Sequence, residues 1–111
     1  MTEEFDYAQI LGTLLHAHLP GGYPSAQLAA SLMDTSVRTL ARRLADCGKT
    51  YRSVVDRVRF KAARELLQNT DLRVTDVAMA VGFDDSANFA RMFRRIGGLS
   101  PRQFRRAIHQ I

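Results

Sequence analysis

The sequence has one cysteine, no lysine or arginine in its first 37 residues, and no long apolar run. A lone thiol, Cys47, can form no intrachain disulfide and is too little for a cysteine zinc site, which fits a reducing compartment and argues against redox chemistry. No stretch approaches the roughly 20 apolar residues that a membrane helix needs, so the chain reads as soluble with no membrane partner. The opening residues Met1 to Asp6 are acidic where a secretory signal would be basic and then apolar, so the expected location is the cytoplasm. There is no glycine-rich phosphate loop, no nucleophile beside a positioned base and no carboxylate cluster for two-metal hydrolysis, and the chain is not expected to be an enzyme. His16, His18 and His109 are scattered on terminal segments and define no metal site with Cys47, so neither metal nor cofactor is expected.

What is present is positive charge, unevenly placed. The 111 residues carry a net +5, yet the first 34 hold only Glu3, Glu4, Asp6 and Asp34, which leaves the remainder at +9. Such a surface attracts polyanions. Fourteen of the sixteen cations are arginine, whose planar fork suits phosphate oxygens and guanine edges.

Apolar spacing predicts helices throughout and no strand. Tyr7, Ile10, Leu11, Leu14, Leu15 and Leu19 recur at three- and four-residue steps, predicting a helix over 6–19 that Pro20-Gly21-Gly22 breaks. Ser25 caps a short helix through Met33, and Ser36 caps a second that runs to about Cys47 and is closed by Gly48. Thr50 opens a long helix to about Gln68, with Val54, Val55, Val58, Ala62 and Leu66 inward and Leu67 at the margin of that side. Thr75 or a neighbour begins a short helix, Gly82-Phe83 turns, and Asp84 or Asp85 caps a helix to Ile96, stopped by Gly97-Gly98. Ser100-Pro101 starts the seventh and last. Cys47 is expected to be a small buried filler. The ions of the long helix, Arg52, Asp56, Arg59, Lys61, Arg64 and Glu65, are expected to make helix pairs such as Lys61 with Glu65.

An internal repeat runs through these elements. Shifted by 49, Leu40 falls on Phe89, Arg42 on Arg91, Leu44 on Phe93 and Gly48 on Gly97. The preceding short helices match best at a shift of 48, pairing Ala30 with Ala78 and Asp34 with Gly82, although 49 pairs Ala29 with Ala78 almost as well. The shift of 48 sets Asp34, which tolerates left-handed backbone, opposite a glycine that adopts it freely, and implies one extra residue in the second turn.

A short helix with small residues near its middle, a tight turn and a second helix with inward apolar residues describes a helix-turn-helix. The chain therefore reads as one all-α domain. Two helix-turn-helix units, about 25–47 and 74–96, are joined by a linker helix about 50–69 and followed by a last helix about 100–110, a homeodomain-like tandem. In the first unit Val37, Leu40 and Leu44 face inward; Phe89, Phe93 and Met92 do so in the second. Outward-facing Arg38, Thr39, Arg42, Ser86, Asn88 and Arg91 are the candidate base readers, with arginine suited to guanine and asparagine to adenine. Ser36, Arg43, Arg94, Arg95 and Arg102 are the candidate phosphate contacts.

Ser36-Val37-Arg38-Thr39-Leu40-Ala41-Arg42-Arg43-Leu44, Val74-Thr75-Asp76-Val77-Ala78-Met79-Ala80-Val81-Gly82-Phe83, Phe89-Ala90-Arg91-Met92-Phe93-Arg94-Arg95 and Leu99-Ser100-Pro101-Arg102-Gln103-Phe104-Arg105 together resemble the AraC/XylS family of bacterial transcription regulators. The resemblance implies seven helices, two recognition helices in adjacent major grooves of bent DNA, and activation through contact with RNA polymerase. It also implies that the unit is the C-terminal part of a longer effector-responsive activator on the bacterial nucleoid. Alone, it is expected to be a monomer on double-stranded DNA. Asp34 departs from the glycine common in the first turn, and Ala41 and Ala87 stand where longer polar side chains often reach bases. The alternatives are a basic helical protein-interaction adaptor and, with no aromatic platform evident, an RNA binder.

Overall fold

A computed structural model describes residues 6–110 of the chain. Among these there are seven α-helices and no strand: α1 (Tyr7–His16), α2 (Ala26–Leu32), α3 (Val37–Asp46), α4 (Tyr51–Asn69), α5 (Val74–Ala80), α6 (Ser86–Gly97) and α7 (Pro101–Ile108), with a single 3₁₀ turn at Leu19–Gly21. The caps explain most starts. Ser25, Ser36, Thr50 and Ser100 each accept from the backbone N–H three residues on, at 3.1 Å, and Asp85 accepts from Ala87 N–H at 2.8 Å. Each such cap is worth about 1 kcal/mol. Only α5 starts without one: Arg73 stands at its N-cap with no side-chain bond.

Two cores form, and α4 serves both. Val54 and Val55 on its first half pack with Ala8, Leu11, Leu15, Ala29, Ala30, Leu40 and Leu44, whereas Ala62, Ala63 and Leu67 pack with Val77, Ala78, Val81, Phe89, Met92 and Phe93. Leu19, from the N-terminal segment, lies in the second core and not the first. The repeat is visible in the turns. Thr35 N–H bonds Ala30 O and Phe83 N–H bonds Ala78 O, both at 2.9 Å, while Asp34 and Gly82 take positive φ of 55° and 92°. The shift of 48 is therefore the structural one before the turn, and the N-caps Ser36 and Asp85 stand 49 apart, which is the extra residue.

Several expectations need correction. α1 stops at His16, because Leu19 leaves for the other core through the 3₁₀ turn. Ile10 and Leu14 are exposed, since α1 packs on α4 through the narrower stripe Ala8, Leu11 and Leu15. Val37 is exposed too: it opens α3, and the core contacts of that helix begin with Leu40. Leu67 is fully buried and Leu66 only partly. Gly97 is still helical, and the left-handed backbone that Gly48 takes at φ 74° falls on Gly98 at φ 86°, one residue later than the shift of 49 places it, because α6 runs on past the length of α3. Cys47, past the last inward leucine of α3, is exposed and fills no gap. Lys61 and Glu65 are both exposed and make no ion pair; the pairs among the described residues are Arg73 with Asp76 and Arg95 with Asp56.

Candidate nucleic-acid interface

The outward stripe of α3 carries Arg38, Arg42 and Arg43, all exposed, opposite the buried Leu40 and Leu44. Thr39 is half-buried and its hydroxyl accepts from Ser36 Oγ at 3.0 Å, while Ser36 Oγ accepts from Thr39 N–H, so both side chains are engaged in the cap. The Arg43 guanidinium lies 5.7 Å from the centre of the Tyr7 ring, a contact that steadies the charged end of its long side chain.

On α6 the exposed polar residues are Ser86, Asn88, Arg91, Arg94 and Arg95, with Ala87 exposed among them, backed by Phe89, Met92 and Phe93. A hydrogen-bonded chain runs along this face. Asn88 Nδ2 donates to Asp85 Oδ2 at 3.3 Å, and Arg91 Nη2 donates to Asn88 Oδ1. The N-cap of α6 thus orients the asparagine, and the asparagine orients the arginine. Arg95 is held differently: its Nη2 donates to Asp56 Oδ2 on α4 at 2.9 Å, tying α6 to α4. Arg102 is exposed in the first turn of α7. An open cleft of about 1350 Å³ runs beside α6, and Arg52, Arg91, Arg94 and Arg95 among its lining outnumber Asp56 and Asp84.

Three residues central to this geometry were not among the expected site residues. Asp56 and Arg59 on α4 are buried, not solvated. Arg59 has its guanidinium 3.9 Å from the centre of the Phe83 ring and 5.0 Å from that of Tyr23, and its Nη2 donates to Gly82 O at 2.9 Å. Its Nε–H has no acceptor among the described residues. Burial pulls its pKa below the ordinary arginine value, with Asp56 and Tyr23 opposing the shift. The signal was present in the sequence: Val55, Arg59 and Ala63 stand four apart, so a cation occupies the middle of a buried stripe. Arg105 is the third, donating to Leu67 O in the last turn of α4 at 3.1 Å, to Thr70 O at its C-cap at 3.2 Å and to Leu72 O in the segment that follows.

At the other end of α4, the single hydroxyl hydrogen of Tyr51 is shared between Pro24 O at 2.8 Å and Ser25 O at 3.2 Å. Burial pushes the Tyr51 phenol up to about 12, with Tyr23 adding to it. Burial also raises Tyr23, helped by Asp56 and opposed by Arg52 and Arg59.

Comparison with known proteins places this arrangement. A helix-turn-helix domain model matches residues 29–107. The ornithine utilization regulator of Pseudomonas aeruginosa is 41% identical over 88 residues, covering 79% of this chain and 26% of that protein. The crystal structure of the transcriptional regulator CdpR from Pseudomonas aeruginosa superposes with a TM-score of 0.79 at 39% identity, over 90% of this chain and 31% of the other. The DNA-binding domain of AdpA, a global transcriptional factor solved in complex with a target DNA, superposes at 0.77 and 27% identity over 93% of both chains. The chain thus spans between a quarter and a third of the full-length regulators it matches. With the paired helix-turn-helix units, their outward arginines and these likenesses together, the chain belongs to the AraC/XylS family of transcription regulators and carries its DNA-binding domain.

Proposed function

We propose that residues 1–111 act as one binding unit that reads two unlike half-sites on duplex DNA, α3 reading one and α6 the other. The observation that carries this reading is the repeated scaffold: two copies of the same turn and inward face, each presenting outward arginines that no core contact explains. Arg38 and Arg42, and Arg91 on α6, suit guanine; Asn88 suits adenine once it exchanges its bonds to Asp85 and Arg91 for the base. Thr39 and Ser86 supply the smaller contacts. Ser36, Arg43, Arg94 and Arg102 face phosphates, and Arg95 joins them where its bond to Asp56 opens. α4, 19 residues or about 28 Å long, nearly spans the roughly 34 Å between successive major-groove openings on one face of the duplex.

The unit binds as a monomer, without metal or cofactor and without catalysis. It belongs to a longer effector-responsive activator that meets RNA polymerase on the bacterial nucleoid in the cytoplasm. Support for the longer protein comes from the relatives, which extend far beyond the matched part. No helix among the described residues is long and apolar enough to cross a membrane.

Selection of bound sites from random duplex DNA tests the reading. The expected product is a motif with two different halves about one helical turn apart. Arg42→Ala should relax preference within one half and Arg91→Ala within the other, each at a cost of about 1–3 kcal/mol at the affected base pair. If both variants keep the wild-type motif, the assignment of the reading helices is wrong. No enriched motif at moderate salt would favour the protein-interaction adaptor.

A further inference from the structure

The two helix-turn-helix units are joined twice. α4 is the covalent joint, and the segment 19–23 crosses between the units beside it. Leu19 is 2% exposed inside the second core, although it precedes the whole first unit. The backbone of the segment lies directly on the second turn: a Cβ at Gly82 would stand 2.6 Å from Leu19 O and 3.0 Å from Gly22 O. Tyr23 then covers Arg59, which stacks on Phe83 and bonds Gly82 O. At its far end the segment enters the first unit through Ser25, the cap of α2, where Tyr51 Oη holds Pro24 O and Ser25 O.

A single helix between two bodies leaves them free to bend and twist about it, whereas a second, non-collinear tie removes that freedom. We propose that the segment Leu19–Tyr23 is a strap that fixes the angle between the two reading helices, and so determines which separation of half-sites the protein accepts. The strap specifies spacing and not bases. Arg59 is a positioning residue in this scheme, acting through Gly82 and Phe83 on the turn that aims α6. Moving one half-site by a single base pair shifts it by about 3.4 Å and turns it by roughly 35° around the duplex. A rigid protein meets that displacement only by deforming DNA, at a cost that corresponds to about a tenfold loss of affinity. A protein with a released strap absorbs part of it.

This inference rests on the reading of two half-sites, so its test has two arms. In the first, Tyr23→Ala and Arg59→Met are compared with wild type and with Tyr23→Phe on duplexes whose half-sites are separated by the selected spacing and by one base pair more or less. Wild type and Tyr23→Phe should discriminate by about tenfold. Tyr23→Ala and Arg59→Met should discriminate by less than about threefold while keeping base preference within each half. An equal loss of affinity at every spacing would overturn the proposal, because a residue that only touches DNA or only stabilises the fold behaves that way. In the second arm, the Cys47→Ser protein carries spin labels at Ala41→Cys on α3 and Ala87→Cys on α6, and the distance distribution between them is measured without DNA. One narrow distance is expected, broadening with Tyr23→Ala; an unchanged distribution would refute the strap. A wild-type selection that yields a single half-site would sink the two-reader reading and the spacing role with it, and the label distances would then decide by themselves whether the strap fixes the angle.

Discussion

Replacing Gly82 by alanine measures what the approach of the strap to the second turn contributes. Gly82 sits at φ 92°, where an L residue is strained by about 1–3 kcal/mol. Its new Cβ would also meet Leu19 O at 2.6 Å and Gly22 O at 3.0 Å, backbone atoms that cannot swing aside as a side chain would. Relieving such an overlap by shifting the packed segment costs a further 1–3 kcal/mol or so. Alanine recovers about 0.4–1 kcal/mol by restricting the unfolded chain. The sum is a loss of roughly 2–5 kcal/mol, or about 10–25 °C in Tm for a domain near 100 residues. Gly48→Ala is the control: its φ of 74° carries the same kind of strain, but nothing lies within 4 Å of the added methyl. It should cost only about 1 kcal/mol. Thermal and urea unfolding followed by circular dichroism give both values, with the midpoint shifting and the slope unchanged. Equal losses for the two variants would show that the strap does not press on the turn, and the reasoning from Gly82 would fail.

Three further outcomes are expected. Arg105→Met removes the donor to three carbonyls at and just beyond the end of α4 and should cost about 2 kcal/mol, with faster amide exchange confined to residues near Thr70; uniform loss of protection would contradict a local role. Asp34→Gly relieves a non-glycine residue at φ 55° and should raise the urea midpoint by about 0.5 kcal/mol of stability, and a lower midpoint would mean that Asp34 makes a stabilising contact. In alkaline titration, Tyr51 stays protonated in the folded state up to about 12 while the unfolded chain ionises near its ordinary 10.0, so stability present below the lower value is lost as pH rises towards the higher. The tyrosinate absorbance step near 12 should vanish in Tyr51→Phe, and its persistence would assign the step elsewhere.

The parts of this fold that sequence made legible are those decided within a few residues. Ser25, Ser36, Thr50, Asp85 and Ser100 cap helices because a side-chain oxygen reaches a free N–H nearby, a local event that spacing alone predicts. The same holds for Asp34, whose place opposite Gly82 in the repeat predicted its left-handed backbone. What the sequence left illegible depends on partners far along the chain. Periodicity assigned Leu19 to the first helix, but it is buried in the second core, the one that holds Val77, Val81 and Phe89. Spacing on α4 offered Glu65 to Lys61, while Asp56 turned instead to Arg95, 39 residues on. At the interface, exposure of Arg42 and Arg91 followed from the apolar faces behind them. The cap-to-asparagine-to-arginine chain on α6 was readable in principle, since Asp85, Asn88 and Arg91 stand three apart.

The placement of Leu19 has a consequence for cooperativity. A segment from 50 onward looks in the sequence like a self-sufficient half: a long helix, a helix-turn-helix and a closing helix. Yet its core would lack a leucine supplied from more than 30 positions upstream, and dissection at that boundary would leave a leucine-sized void in that core. The second half completes its interior only when the N-terminal segment has arrived, which couples its closure to a long chain loop and to the first half that anchors it. Two copies of one pattern in the sequence thus come to share an interior residue, and the melting of the second is tied to the chain that leads into the first.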